Sequence, residues 1–200
     1  MEYKNKRTWN DKWIIEHVYP GKRNGTFVEA GVCSGIGGSS TYLLEDKLGW
    51  TGFIFEPSDF YWKPLSKIRP NSKKFHACLG DGNDVEYIEF EEFGESTTKI
   101  QDYHKKKLKH VSRKSIIKPS IKLEDVIKGI HIDYLALDTN GNELEILEGL
   151  EDCSFGAISV ELPWQDIDPA TILMNSRGYK KVLNPFRDED MNQEHYFLKF

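Results

Sequence analysis

Four carboxylates, Glu29, Glu56, Asp138 and Glu161, each stand where an apolar run gives way to turn residues, the position from which an acid can reach a ligand at a sheet edge. Glu29 opens the densest of these places, TFVEAGVCSGIGGSS (26–40), which reads as strand, glycine-rich turn and helix start. Its pattern, E-x-G-x-x-x-G from Glu29 through Gly31 to Gly35, differs from the dinucleotide fingerprint and from the phosphate-binding loop, and no lysine follows the glycines. A carboxylate here repels a pyrophosphate and suits a ligand with an amino group, so the turn favours S-adenosylmethionine. Ser39 and Ser40, at the expected helix start, cap that helix or bond a ligand carboxylate. Glu56, followed by Pro57, ends the next strand about twenty residues beyond the glycines, where an acid accepts from both hydroxyls of a ribose. Asp81, in the Gly80-Asp81-Gly82 turn, either accepts from the adenine amine or serves only as a turn former.

Asp138 ends the strand expected beside the glycine turn, and Glu161 ends the next. Two carboxylates at adjacent strand tips make a general base, or a site for Mg²⁺ or Mn²⁺, as well as they make structural hydrogen bonds. Glu143, in the first turn of the helix after Asp138, returns a hydrogen bond to the turn and joins the candidate catalytic set. Trp164 offers a flat face for stacking an acceptor, or a cap on the core. His104 and His110 are proton acceptors within a basic run, and His110 is the candidate substrate contact.

The elements that must position these groups follow from periodicity and breakers. Asn10 is expected to cap a helix over 11–18, within an N-terminal region spanning 1–20. Strands are expected near 26–28, 52–55, 74–79, 132–137 and 157–162, with helices over 39–47, 58–68, 121–128, 142–150 and 168–176 and a final hairpin of 179–183 with 195–200. Val85 to Phe93 alternates enough for an extra strand. The segment 94–119, with Lys105, Lys106, Lys107, Lys109, Arg113 and Lys114, reads as a solvated mobile loop or as an anchor for an anionic partner.

The 200 residues suit one domain, 1–200. A net charge of -5 argues against nucleic acid as a chain-wide partner. Cys33, Cys78 and Cys153 are odd in number and widely spread, so neither a disulfide framework nor a zinc site is indicated. With no apolar leader and no membrane span, the expected place is the cytoplasm. Oligomeric state is left open.

The runs FVEAGVCSGIGGSS, LGWTGFIFEP and DYLALDTNGNELEILEG resemble the FkbM-type methyltransferases, class I enzymes using S-adenosylmethionine. The resemblance implies an α/β Rossmann-like fold, a seven-stranded mostly parallel sheet in the order 3-2-1-4-5-7-6 with helices on both faces. It also implies methyl transfer to a hydroxyl, with a small-molecule or glycan acceptor. The chain departs from the family pattern at Ala136, where Lys or Ser is frequent, and at Asn140, where Glu is usual. Two other functions stay open: an RNA or other anionic acceptor reached through the basic run, and a cofactor-binding module without activity.

Overall fold

The computed structural model describes residues 1–90, 96–97, 113–187 and 193–200. Seven strands form the main sheet: β1 (Thr26–Ala30), β2 (Thr51–Phe55), β3 (Ser72–Phe75), β9 (His131–Leu137), β10 (Ser154–Glu161), β11 (Tyr179–Val182) and β12 (Glu194–Lys199). Their order is β3-β2-β1-β9-β10-β12-β11. Pairing is parallel throughout except at β12, which runs antiparallel to both β10 and β11. Counted within the main sheet alone, the seven strands run 3-2-1-4-5-7-6, the expected Rossmann-like order. Five short strands intervene before β9: β4 (Cys78–Leu79), β5 (Val85–Phe90), β6 (Ser96–Thr97), β7 (Arg113–Lys118) and β8 (Ser120–Ile121). They form two small separate sheets, β4-β8 and β6-β5-β7.

The alternation of side chains along each strand divides the core in two. Val28, Ala30, Leu135, Leu137, Ile158 and Val160 face one side, against α4 (Leu123–Ile127), α5 (Glu143–Glu148) and α6 (Ile167–Ser176). Phe27, Tyr134, Ala136 and Ala157 face the other, where Trp13, Ile14, Leu44 and Leu65 pack from the N-terminal helix, α2 (Tyr42–Leu48) and α3 (Asp59–Leu65). β9 is apolar on both faces, as a central parallel strand must be. The first and last members of the β1-β9-β10 trio end at Ala30 and Glu161, so the turns after them share one edge of the sheet.

Several boundaries move for physical reasons. The N-terminal helix begins at α1 (Asn10–Lys12) and continues as a π-helical stretch, Trp13–Val18. Asn10 does not cap it, because its side chain is spent on long-range hydrogen bonds. α2 starts at Tyr42 rather than near Ser39, since the glycine turn extends through Gly38 and residues 39–41 fold back on Glu29. The expected third strand over 74–79 divides: β3 pairs with β2 and ends at Phe75, while Cys78–Leu79 pairs with β8. The helix expected over 121–128 begins later, as α4 at Leu123, because Ser120–Ile121 is strand β8. Part of the expected mobile segment, Arg113–Lys118, is strand β7, paired antiparallel with β5. The core of the lysine run, 98–112, lies outside the described residues, and with it His104 and His110. Among the described residues no helix is long and apolar enough to cross a membrane.

Candidate functional site

A cleft of about 510 Å³ opens at the carboxyl ends of β1, β2 and β9, with Gly31, Cys33, Phe55, Glu56, Pro57, Leu79 and Asp138 in its wall. This is the edge where doubly wound sheets bind ligands. Gly31 adopts a φ of +80°, and a Cβ there would collide with the carbonyl oxygen of Asp138, so only glycine lets the two turns meet. Glu56 is 2% exposed, and its carboxylate accepts from the backbone N–H of Cys33 at 2.7 Å and of Ser58 at 2.9 Å. Those bonds tie the glycine turn to the end of β2 and fix the carboxylate at the cleft. Phe55, stacked on Phe75 at 4.7 Å, supplies an apolar wall.

Glu29 turns beneath the glycine turn. Its carboxylate accepts from the Ser40 N–H at 2.6 Å, from the Ser39 hydroxyl at 2.8 Å and from the Thr41 hydroxyl. Ser39 in turn accepts from the N–H groups of Thr41 and Tyr42, which closes the start of α2. Behind them Arg69, 2% exposed, donates to Glu45 at 2.6 Å, to the Gly35 carbonyl and Ser39 hydroxyl at 3.1 Å each, and to Thr41 at 2.7 Å. Gly35, with φ +79°, packs on Leu65 and Ile68 and is held by this network. Glu29, Ser39 and Gly35 thus shape the turn from below, while Glu29 and Ser40 also line a second, polar cleft of about 290 Å³.

The two clefts meet at Ala30, Gly31 and Asp138. Asn5, Thr8, Asn10, Ser159 and Glu194 complete the polar one, so the N-terminal segment forms its roof. Arg7 of that segment donates to Asp138 at 2.8 Å and reaches Glu161 at 3.3 Å and 3.4 Å, drawing the two strand-end carboxylates together. Burial raises the Asp138 pKa well above the usual carboxylate range. Glu161 adds repulsion and a hydrogen bond in the same direction, and Arg7 only partly opposes them. Burial works against the charge of Arg7, but Asp138 and Glu161 outweigh it and push its pKa up. Glu194, opposite Glu161 in the sheet, is raised to about 7, mainly by burial, while Asn10 donates to it at 2.7 Å.

The other expected residues are placed as follows. Glu143 is buried and accepts from the Thr139 N–H and hydroxyl at 2.8 Å and 2.9 Å and from the Gly141 N–H at 3.0 Å. It holds the turn that presents Asp138 and lines neither cleft. Asn140 has a φ of +56°, a left-handed conformation that Asn tolerates better than Glu, so its presence has a backbone reason. Asp81 stands on an exposed turn, its carboxylate held by the Asn83 N–H and side chain at 2.9 Å each, and it lines neither cleft. Trp164 is 74% exposed, just beyond the end of β10.

Asp138 and Glu161 do not fit a divalent-cation site. Their charge is met by a guanidinium, and among the described residues no group of three His, Cys, Asp or Glu side chains is arranged to hold a metal. The first cleft does fit a nucleoside: it has one apolar wall, one fixed carboxylate, and backbone approached through Gly31.

Arg7, Arg69 and Thr8 carry no local motif, because their partners lie far along the chain, and the sequence reading passes over all three. The one available hint for Arg69 is a charged residue between a helix end and Pro70.

The model of the methyltransferase FkbM domain matches residues 29–181, more than half of the chain. Comparison with curated proteins finds no match. Among solved structures, the chain is similar to a candidate rRNA methylase from Clostridium thermocellum, with a TM-score of 0.53, 12% identity, and coverage of 100% of this chain and 98% of the other. A TehB-like S-adenosylmethionine-dependent methyltransferase from Corynebacterium glutamicum gives a TM-score of 0.51 at 11% identity, covering 96% of this chain and 88% of the other. At such identities the likeness concerns the fold.

Proposed function

The chain belongs to the methyltransferase FkbM family, and from that premise we propose that this S-adenosylmethionine-dependent methyltransferase transfers its methyl group to a hydroxyl of a sugar or glycan. The observation that carries the reading is Asp138. It lines both clefts, its side chain is 35% exposed, and its pKa is raised toward the range useful to a general base.

When bound, the cofactor supplies a methyl group already activated on a sulfonium. The protein's task is alignment and the removal of one proton. Glu56 would hold the ribose in the first cleft, Gly31 would admit the ligand close to the backbone, and Ser40, in the turn that Gly35 and Ser39 shape from below, would receive the amino-acid end. Asp138 takes the proton of the acceptor hydroxyl on a carboxylate oxygen, and Glu161 shares it across their hydrogen bond. Arg7 keeps the pair from drifting to a fully protonated, inert state. Trp164 stacks on the acceptor ring at the rim. Orientation of this kind can supply effective molarities on the order of 10⁵–10⁸ M.

Asp138→Asn tests the reading. Turnover on a true acceptor is expected to fall by about 10²–10⁴-fold, the usual contribution of a general base, while S-adenosylmethionine affinity holds. A methyl-donor turnover panel of free sugars, sugar nucleotides and glycans identifies the acceptor. An Asp138→Asn enzyme with near wild-type turnover would remove the base from Asp138.

A further inference from the structure

Beyond β12, at the same edge of the sheet, lies a cavity of about 630 Å³ that the methyl-transfer reading does not use. Lys181, Asn184, Arg187, Glu194, His195 and Tyr196 contribute to its wall. Arg187 is anchored on one side, where Nη1 donates to the Tyr196 hydroxyl at 3.4 Å. Its Nη2 is buried and has no hydrogen-bond partner among the described residues, and the same holds for Nε2 of His195. An unmet buried donor costs about 1–3 kcal/mol, and more when charged, so the Arg187 guanidinium marks a missing acceptor, which the His195 ring meets as a second donor in the tautomer that carries its proton on Nε2. Glu194, the acid in this wall, is engaged by Asn10 at 2.7 Å. Asp188, Glu189 and Asp190, next in sequence to Arg187, lie outside the described residues. Lys181 and Arg187 are both near enough to His195 to disfavour its protonation, after burial itself. The cavity wall therefore carries a neutral imidazole and two cations.

We propose that this cavity binds an oxyanion of the methyl acceptor, a phosphate ester or a carboxylate, with Arg187 Nη2 and His195 Nε2 as donors and Lys181 as the cation at its mouth. The inference rests on the acceptor reading above and adds a substrate class to it. β9, β10, β12 and β11 are successive neighbours, each step being about 4.8 Å, so the cavity lies roughly 10–14 Å from Asp138 along the sheet edge. The acceptor is then an elongated, negatively charged glycan or sugar derivative, methylated at the end remote from its anion.

The experiment titrates inorganic phosphate, and separately acetate, into the full chain, with calorimetry for affinity and the His195 ring resonances as a local reporter. One anion is expected to bind and to shift the His195 signals. Arg187→Gln and His195→Gln are each expected to weaken binding at least tenfold and to leave S-adenosylmethionine affinity within about twofold of wild type. Phosphate binding without acetate assigns a phosphate ester, and the converse assigns a carboxylate. If neither anion moves the His195 resonances, or both variants bind as wild type does, the proposal is wrong. Turnover of Asp138→Asn on neutral acceptors judges the methyl-transfer reading separately, so the two failures are distinguishable.

Discussion

Glu56 is a carboxylate fixed by two backbone donors in the wall of the first cleft. Glu56→Gln keeps the size and one acceptor oxygen but loses the charge. Cofactor affinity is expected to fall by about 1.5–3 kcal/mol for each charge-assisted bond lost, read by calorimetry. Unchanged affinity would mean that the ribose lies elsewhere. The contrast with Glu29 shows what the sequence displays at this scale. Both are acids at strand ends beside the glycine turn, and the sequence treats both as ligand contacts. The structure divides them by cleft: Glu29 meets three hydroxyl or amide donors from 39–41 and lines the polar cleft, whereas Glu56 is held by the Cys33 and Ser58 N–H groups and lines the first. That division depends on which way each strand's side chains face at its last residue, and a one-residue difference in strand end reverses it.

The glycine turn is an element held from behind. Arg69 is the one cation described at Glu29 and Glu45, which are both 4% exposed, and its own backbone takes a left-handed φ of +60° to arrive there. Arg69→Met preserves the length of the side chain and removes the charge, leaving two buried carboxylates uncompensated. Breaking such an arrangement costs about 3–5 kcal/mol, measurable as a lowered urea midpoint at unchanged slope. Cofactor affinity should fall with it, because the turn loses its anchor at Gly35 and Ser39. A variant as stable as wild type would show that the hydroxyls of 39–41 suffice. The strands themselves were legible: β9 ends in the apolar run 134–137, and β1 and β2 are bounded by glycine and proline. The start of α2 and the division of the third strand were not, because side-chain hydrogen bonds to Glu29 and pairing with β8 decide them.

Across the whole molecule, two adjacent residues of β12 answer pH in opposite directions. Glu194, raised to about 7 chiefly by burial, is protonated in the folded chain and ionised in the unfolded one between its ordinary 4.5 and about 7. Its contribution is full below 4.5 and is lost as pH rises through about 7. His195, lowered to about 4 by burial and then by Lys181 and Arg187, is neutral when folded and protonated when unfolded between about 4 and its ordinary 6.5. Its contribution is full above 6.5 and is lost as pH falls through about 4. The two slopes oppose each other between 4.5 and 6.5. Relative to wild type, Glu194→Gln should become more stable as pH rises through that window, and His195→Gln less so, in urea titrations at a series of pH values. Parallel profiles for both variants would show that neither residue keeps its shifted titration in solution.

The N-terminal roof over the polar cleft has a consequence in time. Asn10 donates to Glu194, and the Tyr196 hydroxyl lies within hydrogen-bond distance of the Thr8 carbonyl and the Asn10 side-chain oxygen, joining groups 184 to 188 positions apart. Contacts of that range close last, since the entropy of the intervening loop must be overcome first. At a synthesis rate of about 5–20 residues per second, the first ten residues wait roughly 10–40 s for β12 to be made. During that interval Arg7 has no settled place beside Asp138 and Glu161, and the paired carboxylates lack their cation. The first cleft, built from β1, β2 and the turn after β9, can take shape earlier. On the roles proposed above, a growing chain would acquire the means to hold its methyl donor before it acquires the means to use it.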